Sequence, residues 1–299
     1  MVDTADMVKE GLNIENSELD LREKELKDAD IIEIMKSGEV KGVTALFLEF
    51  NEIGDEGLRA ILECPTMKNL TVLNLFKNEV TDESVKAMAK SKAMLNLSEL
   101  ILSDNKVSAE GAKAIAESNI MGNLVSLWIG DGLGDEGVTA IANSKSLTRL
   151  NQLSVYRNNI GIDGAKAIAQ SSNLSKLTEL NLNWNFIETE GAIALANSET
   201  LKNLKQLTMT FNPIGNRGIQ AIADSEKMQN LTLLDLYECE ITNEGARAIA
   251  DSKYLKNLKS LVLIHNDISD DVQETLKNSP NLPNLENLVF RLGSGGEEA

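Results

Sequence analysis

Leucines recur along this chain at intervals of about 27 residues, and each opens a short stretch in which apolar and polar positions alternate. Three of these stretches are LFLEFNEIG from Leu46, LNLFKNEVT from Leu73 and LILSDNKVS from Leu100. Alternation with a period of two predicts a β-strand, because successive side chains then point to opposite faces. We therefore expect the leucines to point into a core and the residues between them to point outward.

A second pattern follows each stretch after a short polar loop. It is rich in alanine and repeats its apolar positions with helical spacing, as in GAKAIA at 164–169. An acid precedes most of these runs, which favours a helix because acids in the first turn complement the helix dipole. These acids are Glu56, Glu83, Glu110, Glu136, Asp163, Glu190, Glu244 and Asp271. Each repeat is thus predicted to contain a strand followed by a helix.

The paired pattern occurs in eleven repeats, which is typical of a solenoid whose repeats bury their apolar faces against each other. Repeat 1 is degenerate and begins at Leu19, and repeat 11 is truncated and begins at Leu288. Repeats 2–10 begin at Leu46, Leu73, Leu100, Leu127, Leu153, Leu180, Leu207, Leu234 and Leu261. We expect an N-terminal cap segment at 1–17, a repeat domain at 18–292 and a flexible tail or linker at 293–299.

The repeated motif, L-x-x-L-x-L-x-x-N-x-(I/L) followed by G-A-x-A-(I/L)-A, resembles leucine-rich repeats of the ribonuclease-inhibitor-like class with GALA-type helices. The resemblance implies an α/β fold: a right-handed leucine-rich-repeat solenoid, or horseshoe, with a parallel sheet on the concave face and helices on the convex face. It also implies a ladder of buried asparagines that satisfy loop backbone groups. The ladder maps onto Asn51, Asn78, Asn105, Asn158, Asn185, Asn212 and Asn266, with departures at Lys24, at Cys239 and in repeat 4.

Residues 132–137 read Gly-Leu-Gly-Asp-Glu-Gly and match G-x-G-x-x-G, the fingerprint of dinucleotide-binding Rossmann folds. Aligned with the other repeats, however, repeat 4 lacks one residue at the asparagine position, and Gly134–Gly137 aligns with Gly54–Gly57 of a repeat without the fingerprint. Acids such as Asp131 would also oppose a pyrophosphate. We therefore interpret these glycines as a shortened turn and expect no dinucleotide and no other cofactor.

Composition narrows the possible functions further. A formal net charge of −17 over 299 residues disfavours nucleic acid and anionic membranes as partners and favours basic proteins. One histidine, His265, and two distant cysteines, Cys64 and Cys239, offer no close-spaced metal-ligand set and no Cys/His nucleophile pair. We expect no metal and no enzymatic activity. No signal peptide or membrane-spanning run can be read, so we predict a cytoplasmic protein or an effector secreted into a host cell.

Aromatic residues concentrate at the outward or edge positions of the L-x-L-x-x-N strand motif. Eight of the eleven aromatics in the chain occupy such positions. Strands favour aromatics for their own stability, but aromatics in a solvent-facing groove are also typical of binding hot spots. We predict a protein-binding surface formed by Phe47, Phe50, Phe76, Trp128, Tyr156, Arg157, Trp184, Phe211, Tyr237 and His265.

The sequence therefore favours a non-enzymatic scaffold that binds another protein or peptide with this aromatic-rich concave face, and the net charge favours a basic partner. One alternative is a regulator of an enzyme: a ribonuclease-inhibitor-like blocker, or a GTPase activator to which Arg157 would contribute. Another alternative is the host-binding module of a secreted bacterial effector. Charged side chains such as Arg22 and Glu49 are expected to meet opposite charges of the partner.

Overall fold

The computed structural model describes residues 4–15 and 17–291. The predicted tail at 293–299 lies outside the described residues, as do positions 1–3 and 16 of the predicted cap segment. Within the chain, contacts define two compact units, an N-terminal unit Met1–Leu150 and a C-terminal unit Asn151–Ala299. Each unit is built from strand–helix repeats, as the sequence predicts.

The N-terminal unit begins with a short helix that precedes the first strand. Its strands are β1 Glu18–Asp20, β2 Ala45–Phe47, β3 Val72–Asn74, β4 Glu99–Ile101 and β5 Ser126–Trp128. Its helices are α1 Thr4–Gly11, α2 Asp28–Lys36, α3 Asp55–Glu63, α4 Asp82–Met88, α5 Ala109–Ala116 and α6 Gly134–Ala142. Short 3-10 turns at Pro65–Asn69, Lys92–Met94 and Met121–Asn123 return the chain from a helix to the next strand.

The C-terminal unit repeats the same alternation. Its strands are β6 Gln152–Ser154, β7 Glu179–Asn181, β8 Gln206–Thr208, β9 Leu233–Asp235, β10 Ser260–Val262 and β11 Asn287–Val289. Its helices are α7 Ile162–Gln170, α8 Glu188–Ala196, α9 Gly215–Ala223, α10 Asn243–Ala250 and α11 Asp270–Lys277. Its 3-10 turns are Ser172–Leu174, Glu226–Met228 and Leu255–Asn257.

Within each unit, strands that follow each other in the chain pair in parallel and in register. Leu73 lies beside Leu100 in the N-terminal unit, and Leu180 lies beside Leu207 in the C-terminal unit. Equivalent residues of successive repeats therefore form rows across the sheet, at the spacing of about 4.8 Å that separates neighbouring strands. The helix between two strands supplies the long crossover that parallel pairing requires. The predicted α/β leucine-rich-repeat fold is confirmed.

The core of each repeat lies between its strand and its helix. In repeat 2, Leu46 and Leu48 from the strand side, Ile53 from the loop, and Leu58 and Ile61 from α3 are all fully buried. Burial of each such side chain stabilises the fold by roughly 1.5–3 kcal/mol. The leucine positions therefore identify the buried face of the sheet. The residues between the leucines lie on the opposite face, toward solvent.

The asparagine ladder predicted from the sequence is confirmed. Asn78 accepts a hydrogen bond from the amide of Ile53 at 3.0 Å and donates to the carbonyls of Leu48 at 2.8 Å and Leu75 at 3.2 Å. Each asparagine thus satisfies buried backbone groups of its own repeat and of the preceding one. The same contacts recur at Asn51, Asn105, Asn185, Asn212 and Asn266.

Two further rows of hydrogen bonds link successive repeats. In the first row, a side chain in the first helical turn accepts from the loop of the next repeat: Asp82 bonds to the amides of Ser108 at 2.8 Å and Gly111 at 3.0 Å. In the second row, a serine after the helix donates to the end of the preceding helix, as Ser198 does to the Ala169 carbonyl at 2.5 Å. Helix termini leave backbone groups without intrahelical partners, so these rows complete the helices.

The glycines of repeat 4 serve its shortened turn. Gly132 and Gly134 have φ angles of 145° and 60°, a region that side-chain-bearing residues rarely adopt, and Gly134 begins α6. Gly137 lies inside α6 and packs against α5, where a Cβ would stand 3.0 Å from the Cα of Ala109. The alignment of Gly134 with Gly54 is wrong in conformation, because Gly54 has an extended backbone with φ of −104°.

Candidate functional site

One position of every regular repeat presents its side chain from an unusual backbone. The residue directly before the ladder asparagine, here called the pre-ladder position, has a φ between 51° and 57° in nine repeats. These residues are Glu23, Phe50, Lys77, Asp104, Arg157, Trp184, Phe211, Glu238 and His265. A left-handed conformation costs roughly 1–2 kcal/mol for a residue other than glycine. The recurrence shows that the turn from strand to loop imposes this conformation, whichever side chain is present.

Four rings in the C-terminal unit contact each other in sequence, and we call them the ring ladder: Trp184, Phe211, Tyr237 and His265. Trp184, Phe211 and His265 occupy pre-ladder positions, whereas Tyr237 directly precedes the pre-ladder residue Glu238. The rings of Trp184 and Phe211 are stacked, with centroids 3.8 Å apart and planes at 30°. Phe211 and Tyr237 follow at 5.1 Å, and Tyr237 and His265 at 4.8 Å, both with tilted planes. Such pairs contribute about 0.5–1.5 kcal/mol each beyond the burial of their surface.

The ring ladder is open to solvent at one end and hydrogen-bonded at the other. Trp184 is 52% exposed although it is the largest side chain of the four. At the other end, the Tyr237 hydroxyl lies 2.9 Å from Nδ1 of His265, which lies 3.4 Å from Oε2 of Glu238. Phe211 and Tyr237 are half-buried between these ends. The ladder is therefore a continuous aromatic surface with polar groups fixed at its His265 end.

Charged groups flank the ring ladder on both sides. Arg157 occupies the pre-ladder position of the repeat before Trp184, is exposed, and donates its backbone amide to the Asn183 carbonyl at 2.9 Å. Next to Tyr237, Oδ1 of Asp235 accepts that residue's amide at 3.1 Å, and burial raises the pKa of the Asp235 carboxyl. The ladder thus runs from a guanidinium toward a region that carries two carboxylates.

Aromatics of the N-terminal unit form a smaller group of contacts. Phe50 and Phe76 meet edge to face with centroids 5.3 Å apart, and Nζ of Lys77 lies 5.0 Å from the Phe50 centroid. Phe47 lies under the guanidinium of Arg22 at 6.0 Å. Trp128 ends β5 beside Ile101 and is 39% exposed. Tyr156 belongs to the C-terminal unit, where it follows β6 and is half-buried. Of the predicted surface, ring contacts thus join Phe50 with Phe76 and separately join the four rings of the ring ladder.

Two of the charged side chains expected to meet a partner are already engaged within the chain. Arg22 makes a bidentate pair with Asp20, with Nε–Oδ1 at 2.9 Å and Nη2–Oδ2 at 2.6 Å. Glu49 is buried and accepts from Nδ2 of Asn74 at 2.6 Å. Each of the two side chains thus has an intramolecular partner: Asp20 lies two residues before Arg22 in the same repeat, and Asn74 belongs to the repeat after that of Glu49.

Burial disfavours the thiolate form of Cys239, the cysteine at the ladder position. Sγ of Cys239 donates to the Met209 carbonyl at 3.1 Å, and burial raises the pKa of this thiol to about 12. Among residues 4–15 and 17–291, no group of three histidine, cysteine or acidic side chains is placed to hold a metal ion. Over the same residues, no helix has the length and apolar character needed to cross a membrane.

Comparison with known proteins supports the repeat assignment. A family described as "Leucine Rich repeat" matches residues 43–62, 66–89, 93–116, 173–196, 200–223 and 227–250. A search of the curated proteins finds no match. Among solved structures, the chain is similar to an internalin (inlF) from Listeria monocytogenes, with 19% sequence identity, 93% of this chain and 87% of the internalin covered, and a TM-score of 0.42. Six matched repeats together with the in-register strands and the asparagine ladder show that this chain contains leucine-rich repeats.

Proposed function

We propose that the chain is a non-enzymatic scaffold that binds a segment of another protein, with the ring ladder at the centre of the interface. The observation that carries this proposal is the unbroken stack from Trp184 to His265 on the solvent-facing side of the sheet. Exposed aromatic clusters supply most of the affinity in many interfaces, because they bury large areas at little cost in conformational entropy. Tyr156 and Arg157 of the same unit would form the periphery.

The charges near the ladder favour a partner segment with a basic residue. Glu238 borders His265, and Asp235 supports Tyr237 from the strand side. A lysine or arginine placed there would face two carboxylates and the edge of an aromatic stack, to which cations are attracted. The net charge of −17 adds long-range attraction for such a segment.

We also propose a structural class and a cellular compartment for this protein. The GALA-type helices favour the ribonuclease-inhibitor-like class within the leucine-rich repeat proteins. Cys64 and Cys239 are both free and buried, which is typical of proteins from a reducing compartment such as the cytoplasm. The buried, high-pKa Cys239 thiol leaves the site with no evident nucleophile, in keeping with a binding role.

A peptide selection followed by affinity measurements tests the function. A random-peptide library is selected on the immobilised protein, and the affinity of the best peptide is measured for the wild type, Trp184→Ala and Tyr254→Ala. Tyr254 is a matched control, because it is 37% exposed but lies outside the ring ladder. We expect basic peptides, a loss of about tenfold or more in Trp184→Ala, and less than about twofold in Tyr254→Ala.

The opposite pattern would refute this assignment. Peptides that bind Trp184→Ala as tightly as the wild type would show that the ring ladder only braces the sheet. A Trp128→Phe background provides an independent readout, because Trp184 is then the only tryptophan of the chain. Its emission should shift as the peptide binds.

A further inference from the structure

A cavity of about 990 Å³ opens beside the first strand, in the N-terminal unit. One wall is formed where α1 meets β1. The two elements approach so closely that a Cβ on Gly11 would collide with the carbonyl oxygen of Asp20. An isolated antiparallel bridge between Leu12 and Leu19 holds the same contact. The opposite side is formed by Phe47 and Glu49 of the next repeat.

Negative charge is in excess around this cavity. The carboxylates that line it are Glu10, Glu18, Asp20, Glu23 and Glu49, and the cations are Arg22 and Lys24. Asp20 and Arg22 neutralise each other through their bidentate pair. The remaining carboxylates outnumber the remaining cation, so the cavity attracts a positively charged ligand and repels an anion.

One of these carboxylates has an unused acceptor atom. Glu49 is only 9% exposed, and its Oε1 accepts from Nδ2 of Asn74 at 2.6 Å. Its Oε2 has no hydrogen-bond partner among the described residues. A buried carboxylate oxygen without a donor is costly, and burial accordingly raises the pKa of this carboxyl. Oε2 is therefore an acceptor site that an incoming donor can complete.

We propose that this cavity binds a guanidinium or primary ammonium group, with an N–H of that group donated to Oε2 of Glu49. Both groups carry the required charge and several donors, and a charge-assisted hydrogen bond is about twice as strong as a neutral one. Glu49 is one of the residues that line the cavity, and its hydrogen bond to Asn74 leaves Oε2 as the available acceptor. Phe47 supplies an aromatic wall that already carries the Arg22 guanidinium at 6.0 Å.

Titration calorimetry with small cations tests this site. Methylguanidinium and methylammonium are the probes, and tetramethylammonium is the control with the same charge but no N–H donor. We expect saturable binding of the two donors, a loss of about tenfold in Glu49→Gln and less than about twofold in Glu99→Gln. Glu99 is a matched acid of the same sheet that does not line the cavity.

Two results would overturn the proposal. The first is tetramethylammonium binding as tightly as methylguanidinium, which would show attraction by charge alone. The second is an equal loss of affinity in Glu49→Gln and Glu99→Gln. Should Glu49→Gln fail to fold, amide chemical shifts of the wild type decide: methylguanidinium must shift the Glu49 and Asn74 resonances more than that of Tyr254.

A further experiment distinguishes an arginine side chain of a protein from a free small cation as the ligand. An acetylated and amidated Gly-Arg-Gly peptide is compared with methylguanidinium at the wild type and at Glu49→Gln. Tighter binding of the peptide identifies an arginine side chain of a protein as the ligand, whereas equal affinity identifies a free small cation. Either result supports the site as long as Glu49→Gln weakens it.

Discussion

Trp184 and Phe211 stack with ring centroids 3.8 Å apart although both residues have a left-handed backbone. They occupy the same position of two successive repeats, whose strands pair in register. Strands in a sheet are about 4.8 Å apart, so the two rings must lean toward each other to make this contact. The stack thus depends on the register of the repeats and on the choice of an aromatic at both positions.

Phe211 should matter more for stability than Trp184. Phe211 contacts a ring on each side, whereas Trp184 ends the stack and is 52% exposed. Phe211→Ala is expected to lower the free energy of unfolding by about 1–3 kcal/mol, and Trp184→Ala by about half as much, since each aromatic pair contributes about 0.5–1.5 kcal/mol. Urea denaturation followed by circular dichroism measures both. Equal losses would mean that the rings do not act as a sequential stack.

Asn185→Leu should destabilise the protein strongly. This side chain accepts the amide of Ile160 at 3.0 Å and donates to the carbonyls of Val155 and Leu182 at 3.0 and 2.9 Å. Leucine can satisfy none of these buried groups, so we expect a loss of about 3 kcal/mol or more. The shift of the urea midpoint reports the loss. Asn197→Leu, at the exposed end of α8, is the control and should cost far less.

Cys239→Asn should be tolerated better than Cys239→Leu. The cysteine occupies the ladder position and its thiol bonds to the Met209 carbonyl, where an asparagine amide would donate in the other repeats. Asparagine restores the regular contacts, whereas leucine leaves the carbonyl unpaired and costs about 1–3 kcal/mol. Melting temperatures of the two variants decide the order. A more stable leucine variant would be incompatible with the ladder assignment at this position.

Glu49→Gln should change the pH dependence of stability. Burial raises the pKa of Glu49 in the folded state above its value of about 4.3 in an unfolded chain. The folded state therefore binds this proton more tightly, and the wild type loses stability as the pH rises through the interval between the two values. The free energy of unfolding of Glu49→Gln minus that of the wild type should therefore be larger at pH 7 than at pH 4. Urea midpoints at both pH values, with Glu99→Gln as the control, test the sign.

The sequence predicts the repeats well because the same residue types recur at the same positions of each repeat. Leucine alternation identifies the buried side of each strand, and the recurrent asparagine identifies the ladder. The row that includes Asp82 is not predicted, since its acceptor role depends on the loop of the next repeat. Helix-dipole reasoning accounts for acids in a first turn without revealing that the acid also binds a neighbouring repeat.

The candidate site is only partly predictable for the same reason. Trp184 and Phe211 share one position in successive repeats, so in-register strands alone bring them together. The next step crosses to Tyr237, at a different position, because the following pre-ladder residue is Glu238. That step depends on side-chain rotamers. The burial of Glu49 also could not be anticipated, because its position is equivalent to that of the outward-facing Arg22.

The asparagine ladder makes the repeats depend on each other in one direction. The loop amides of Ile53 and Val80 are completed by Asn78 and Asn105, which lie about 25 residues later in the chain. A repeat emerging from the ribosome therefore keeps unpaired loop amides until the strand of its successor has been synthesised. Removing repeats from the C-terminal side would leave such amides unpaired at every new end. Removing repeats from the N-terminal side would instead remove acceptors such as the Asp82 carboxylate, which pairs with the amides of Ser108 and Gly111 in the next repeat. Shortening the protein should thus break a different row of hydrogen bonds at each end: the asparagine ladder at the C-terminal end and the row that includes Asp82 at the N-terminal end.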